Sequence, residues 1–296
     1  MPSPLGRGEL FSNVVVDDLI NKVKGKSSVA KLSGQSPIAF NGNEIFIFSF
    51  DKEVNIVGEN QKKAVGGVNI TSKKMIPLKL EYSARFSDEF MYSTNEYRFN
   101  IMKEFNDGYS RKLARAIDLM VFHGVNPRDN TASTIIGDNC LDKQVKQVVT
   151  YDAATFDDNI DDAMAMIQAN QETVSGIALA PVASQAMSKI KVNGIRQYPE
   201  FRLGAYPNAL GGAILDVNET VSDNSNVKAY IGDFRNNFKW GFAKQIPLEV
   251  IEYGDPDNTG QDLKGYNQVL LRAETYIGWG IIDENSFAII KDGEGA

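Results

Sequence analysis

The chain has 296 residues, enough for one large domain or two intimately connected ones with a sizeable core. With 43% apolar, 10% aromatic and 23% charged residues it has the composition of a folded globular protein, and a formal charge of −7 argues against a surface that grips nucleic acid through neutralised phosphates. A single cysteine, Cys140, and a single histidine, His123, exclude disulfide frameworks, Cys/His zinc sites and any catalytic dyad or triad that needs a second residue of either kind.

In chain order, Val15, Leu19, Ile20 and Val23 fall at helical spacing before Gly25, which predicts a short helix over residues 14–25. From Glu44 to Ile56 the apolar residues take even positions, with Ile45 and Ile47 on the opposite face, as in a strand. The run from Met75 to Phe86 alternates more cleanly and predicts a second strand, ~40 Å long at about 3.3 Å per residue. Between the two lies a polar stretch punctuated by Gly58, Gly66 and Gly67, so the pair reads as a long two-stranded arm with a mobile tip that carries Lys62 and Lys63. Such a hairpin is marginal alone in water and is expected to rest on another subunit.

A helical stripe of Tyr97, Ile101, Met102, Phe105, Tyr109, Leu113, Ile117, Met120 and Val121 predicts one helix from about Thr94 to His123, stopped by Gly124. Gly108 interrupts it, at a cost of about 0.8–1.0 kcal/mol relative to alanine, and is read either as a flex point or as a site of close packing. Thr155 opens another helix with Phe156, Ile160, Ala163, Met164 and Ile167 inward, and Ile177–Ala180 reads as a buried strand feeding a helix from Pro181 to about Ile190. Short strands follow over 213–217, 229–232, 248–253 and 268–279.

Chemistry is sparse in this pattern. Asp157, Asp158, Asp161 and Asp162 at the head of the 155 helix are favoured by the helix dipole without any metal. Asp255 to Asp262 begins like a calcium loop but has Tyr266 where the twelfth position needs glutamate, so it reads as a turn between strands. Gly278-Trp-Gly280 has Asp283 where a dinucleotide fingerprint needs glycine. His123 reads as a helix-end histidine on carbonyl groups, and Cys140 has no activating neighbour in sequence. No catalytic, metal-binding or cofactor-binding residue is assigned, and no run reaches the ~20 apolar residues of a membrane span. The start Met1-Pro-Ser-Pro-Leu-Gly-Arg-Gly lacks a signal-peptide apolar region, so synthesis in the cytoplasm is expected.

The order of these parts resembles the major capsid proteins of tailed double-stranded DNA bacteriophages over nearly the whole chain. The resemblance rests on Val57-Gly-Glu-Asn-Gln-Lys-Lys and the following strand into Phe86-Ser-Asp-Glu-Phe, then Leu113-Ala-Arg-Ala-Ile-Asp and His123-Gly. It continues through Ala178-Leu-Ala-Pro, Ala213-Ile-Leu, Ile231-Gly-Asp-Phe, Val269 to Gly278 and Asp283 to Ile290. It implies an α+β fold with an N-terminal arm (1–43), an extended hairpin or E-loop (44–74), a peripheral domain with a spine helix (75–150), an α/β axial domain (151–260) and a return to the peripheral domain (261–296).

It further implies hexamers and pentamers in an icosahedral shell enclosing double-stranded DNA, a portal protein as partner, assembly in the host bacterial cytoplasm and a procapsid that expands. The short stretch before the first arm strand implies a separate scaffolding protein or assembly without one. Some relatives join subunits by a Lys–Asn isopeptide bond, for which Lys62 or Lys63 and Asn285 are the candidates here. Two alternatives stay open at this point: an encapsulin-like compartment, whose Trp-containing N-terminal helix is missing, and a metal-dependent enzyme using the acidic helix.

Overall fold

The structure is a computed structural model that describes Val23, residues 26–223 and residues 225–293. Apart from Val23, the helix expected over 14–25 lies outside the described residues. The first full element is α1 (Ser28–Leu32), capped by the Ser27 hydroxyl, which accepts from the Ala30 N–H at 3.1 Å.

Strands β1 (Asn43–Phe50) and β2 (Val68–Met75) form a two-stranded antiparallel ribbon in register from Asn43/Met75 to Phe50/Val68. The strand expected from Met75 to Phe86 forms over most of that range but is not the arm's second strand, a place taken by β2. β2 ends at Met75 and β3 (Leu78–Ser87) pairs with a strand far along the chain, because Pro77 offers no N–H to continue the first ladder. The alternation that marks β3 stops at Ile76, since Ser72 and Lys74 occupy even positions of β2, so periodicity does not reveal β2 as the second strand of the ribbon.

After α2 (Glu89–Tyr92), helix α3 (Asn95–His123) runs 29 residues, about 43 Å at 1.5 Å per residue. Thr94 caps its start by accepting from the Tyr97 N–H, and Gly124, at φ 68°, ends it in the left-handed conformation. A Cβ on Gly124 would also lie 2.8 Å from Cys140 Sγ, so the glycine is required twice over. From Tyr109 onward the predicted stripe is buried, whereas Tyr97 is 57% exposed. The stretch between is covered by Phe105 packing on Tyr82 and Phe86 of β3.

Next come α4 (Leu141–Gln144), β4 (Gln147–Thr150), α5 (Phe156–Ala169), β5 (Gly176–Leu179) and α6 (Pro181–Lys189). A small hairpin of β6 (Lys191–Val192) and β7 (Ile195–Arg196) precedes β8 (Ala209–Leu210), β9 (Ala213–Val217), β10 (Val227–Gly232), β11 (Phe238–Ile251), β12 (Gln268–Ile281) and β13 (Phe287–Lys291). Phe156, Ile160, Ala163 and Ile167 are buried as the spacing predicts, but Thr155 makes no side-chain cap.

Two further sheets organise the chain: a six-stranded one in the order β4-β13-β10-β5-β9-β8 and a three-stranded one in the order β11-β12-β3. Their membership departs from the expected segment limits. β4, expected with 75–150, and β13, expected with 261–296, lie in the same sheet as β5 and β10, while most of β11, inside 151–260, belongs with β12 and β3. The reason for β13 is its four successive buried residues, Phe287 to Ile290, which need cover on both faces and therefore an interior position.

The segment before the ribbon crosses the three-stranded sheet on a track of glycines. The Ser36 N–H donates to the Trp240 carbonyl at 2.8 Å, and a Cβ on Gly241 would sit 1.7 Å from Ser36 O. A Cβ on Gly278 would press on Ile38 and Ile76 at 3.3 Å, and one on Gly280 on Met75 at 2.8 Å. The glycines flanking Trp279 thus serve close backbone approach.

Candidate intersubunit surface

Residues directly opposed in an antiparallel pair share a face, so Phe46, Phe48 and Phe50 of β1 lie beside Ser72, Ile70 and Val68 of β2. The five apolar side chains of this face are all between 54% and 74% exposed. On the other face Ile45 and Ile47 are half-buried. An uncovered apolar face of this kind on a ribbon that cannot hold itself together marks a surface for another protein molecule.

The connecting loop is closed at its neck by Asp51, whose carboxylate accepts from the Gly67 N–H at 2.6 Å. A Cβ on Gly67 would lie 2.9 Å from that carboxylate and one on Gly66 at 3.4 Å, so both glycines make room for the neck. The Gly58 carbonyl accepts from the Gln61 N–H in a turn that sets Asn60 at φ 63°. Lys62 and Lys63 follow, exposed at the tip. Asp51 escaped the sequence reading, although an aspartate at the end of an alternating run opposite a Gly-Gly pair is a readable signal.

Asn285 is exposed on a 3₁₀ turn, Glu284–Ser286. The nearby Asp283 carboxylate accepts the Asn285 backbone N–H at 2.9 Å, and the Asn285 carbonyl accepts from Gln147 Nε2 at 2.6 Å. These groups fix the backbone at Asn285. Gly108 has no atom within 4 Å of the position a Cβ would take, so nothing within the chain packs closely there. One turn around it, Ser110 Oγ donates to the Asn106 carbonyl at 2.7 Å, a bond that bends helices.

The calcium-like loop holds a cation that belongs to the chain. The Arg85 guanidinium donates to Asp257, to Asp255 Oδ1 at 2.8 Å, to Thr259 Oγ1 at 2.6 Å and to the Gln261 carbonyl at 3.0 Å. Arg85 holds the Asp257 carboxyl at about 2. On α5, Asp158, Asp161 and Asp162 are exposed, and Asp157 accepts from the Tyr198 hydroxyl at 3.3 Å. Among the described residues no three His, Cys, Asp or Glu side chains are grouped as a metal site.

The densest polar network surrounds Asp118 of α3, which is fully buried. Its carboxylate accepts five hydrogen bonds: from Ser27 Oγ at 2.5 Å, the Ser28 and Val29 N–H groups at 3.0 and 3.1 Å, Asn218 Nδ2 at 3.2 Å and Thr220 Oγ1 at 2.9 Å. Burial pushes this carboxyl up to about 6 against the pull of those donors. Beside it, Ser28 Oγ and Lys31 Nζ hold the two oxygens of Asp216 at 2.6 and 2.7 Å. The start of the described chain is thereby fastened to the long helix and to β9. His123 meets the carbonyl of Thr220, which lies on a separate 3₁₀ turn and not at the end of its own helix, and also the Asp142 carboxylate. Cys140 is fully buried and its thiol is raised by burial, which suits packing and not reactivity.

The sequence model of the Phage capsid family matches residues 8–292. The chain belongs to the phage capsid family. Solved structures agree with this phage capsid assignment. One from Mycobacterium phage Ogopogo is 26% identical with a TM-score of 0.74, covering 90% of this chain and 92% of that one. One from Gordonia phage Cozz is 24% identical with a TM-score of 0.75, covering 90% and 87%. The capsid of a native GTA particle, computed with C5 symmetry, shares the fold at 14% identity and a TM-score of 0.62, covering 99% and 94%. No curated protein matches the chain. The phage capsid subunit is therefore a structural, α+β shell component of the virion that works as an oligomer, and no helix among its described residues is long and apolar enough to cross a membrane.

Proposed function

We propose that the β1–β2 ribbon is the E-loop by which each capsid subunit lies over its neighbour, and that such contacts build the hexamers and pentamers of an icosahedral shell around double-stranded DNA. The single observation that carries this reading is the exposed face of Phe46, Phe48, Phe50, Val68 and Ile70, which only another molecule can cover. The ribbon face and the surface receiving it are different parts of the same chain, so the contact is heterologous and closes into rings. The part of the six-stranded sheet that lies in the expected axial segment 151–260, β5, β8, β9 and β10, faces the local symmetry axis. A portal protein and a separate scaffolding protein are the partners of this reading, and the chain performs no catalysis. The E-loop tip, Gly58 to Gly67 with Lys62 and Lys63, reaches the neighbour.

Replacing Phe46 and Phe48 together by serine tests it. Both side chains are more than half exposed, so the subunit should fold and melt like the parent yet stay a small species in sedimentation under assembly conditions. Normal shells from that variant would sink the assignment.

Gly108 is the flex point of the long helix in this reading. Because a Cβ meets nothing there, Gly108→Ala should stabilise the subunit by about 0.8–1.0 kcal/mol while shifting the conditions for shell expansion. A less stable subunit, or unaltered expansion, would count against the role.

A further inference from the structure

Both ring nitrogens of His123 face acceptors. Nε2 lies 2.9 Å from the Thr220 carbonyl oxygen and Nδ1 lies 2.8 Å from Asp142 Oδ2. A carbonyl and a carboxylate can only accept, so each nitrogen carries a proton and the ring is an imidazolium. The Tyr230 hydroxyl donates to the other Asp142 oxygen at 2.5 Å and sits 3.4 Å from His123 Nδ1. Its ring is stacked on Phe122 at 4.5 Å, which fixes the hydroxyl between the two. The remaining charged neighbours are Asp223, on the loop after Thr220, and Arg115 of α3, which pairs with it. Buried Cys140 precedes α4 and stays a neutral thiol.

We propose that His123, Asp142 and Tyr230 form a proton-operated latch that ties α4, and through α4 the root of the ribbon, to the end of α3. The link onward is Gln144 of α4, whose Oε1 accepts from Lys73 Nζ of β2 at 3.5 Å. When the ring gives its Nδ1 proton to solvent, the bare nitrogen faces a carboxylate. The Tyr230 hydroxyl then turns its own hydrogen bond from Asp142 to Nδ1, and Asp142 loses both partners that held α4. No other proton changes place.

Burial works against the charged ring, but the hydrogen bond and charge of Asp142 and the Thr220 carbonyl outweigh it and raise the imidazole above its ordinary 6.5. A folded value above the unfolded one gives stability that is complete below 6.5 and is lost as pH rises through the folded value. The latch is thus closed below the ordinary imidazole value and opens as pH rises through the higher folded one.

The test compares the parent with His123→Gln and Tyr230→Phe by melting temperature from about pH 5.5 to about pH 9. The parent should exceed His123→Gln at the acid end, with the difference shrinking to nothing at the alkaline end. The chain has one histidine, so ring-labelled protein gives one imidazole signal, whose titration midpoint should lie above 6.5 and move higher still in Tyr230→Phe. A parent advantage independent of pH, a midpoint at or below 6.5, or a downward move in Tyr230→Phe would overturn the latch. The imidazole signal decides the matter even where His123→Gln does not fold.

Discussion

Replacing Asp118 by alanine is expected to cost the subunit about 2–6 kcal/mol, the range for leaving two buried N–H groups without an acceptor. The carboxylate takes five donors, and three of them, from Ser27, Ser28 and Val29, stand some 90 residues away in sequence. The Ser27 and Thr220 hydroxyls can turn to other partners, but the Ser28 and Val29 N–H groups open a five-residue helix and cannot. They would be left buried and unpaired, at about 1–3 kcal/mol each. Urea denaturation should show the loss, and hydrogen exchange at Ser28 and Val29 should rise well before the six-stranded sheet opens. Asp118→Asn keeps the shape but aims an amide N–H₂ into the donors, so it should fall between parent and alanine variant. Stability within about 1 kcal/mol of the parent and unchanged exchange at those amides would refute the clamp.

Gly241→Ala is expected to destabilise by about 3 kcal/mol, the upper part of the range for overpacking, because the added methyl overlaps backbone. Its Cβ would lie 1.7 Å from Ser36 O and 2.9 Å from the Ser36 carbonyl carbon. A side-chain neighbour could rotate away. A peptide group has to move as a unit, and moving it breaks the Ser36 to Trp240 hydrogen bond that registers the crossing segment. Thermal melts of Gly241→Ala and Gly108→Ala side by side make the comparison internal, since the two changes are chemically identical and of opposite expected sign. A Gly241→Ala melt at or above the parent would contradict the glycine track.

How far the sequence could be read follows from the range of each interaction. The long helix, α5, the β5–α6 unit and β12 are written in local periodicity and local stop signals, and they fall where that periodicity places them. β2 has Ser72 and Lys74 on its even positions, so the cleaner run of β3 stands out as the partner of β1 although the ribbon ladder ends at Met75, before Pro77. The sheet that β13 joins depends on partners at β4 and β10, which no local pattern names. Asp118 reads locally as one more polar residue of a helix, and Arg85 as one more lysine-like charge on a strand. Their meaning comes from residues about 90 to 175 positions away. At the candidate surface, the apolar even positions of β1 announce a face to be covered by another molecule, and the structure shows it bare within the chain.

Helix α3 has the mechanics of a beam built in at one end. Its second half is gripped by the Asp118 network, by the His123 contacts and by core burial that begins at Tyr109, whereas Tyr97 and Phe99 near its start are about half exposed. A load applied to the free end of such a cantilever produces its largest bending moment at the edge of the support. That edge is where Gly108 lies, one residue before Tyr109, with Ser110 drawing on the Asn106 carbonyl in the same turn. Under the role proposed for Gly108, deflection would concentrate in that one turn and leave the straight segments on either side intact. A force delivered through β3, which rests on Phe105 of the free span, would be converted into rotation about that turn and not into disruption of the gripped core.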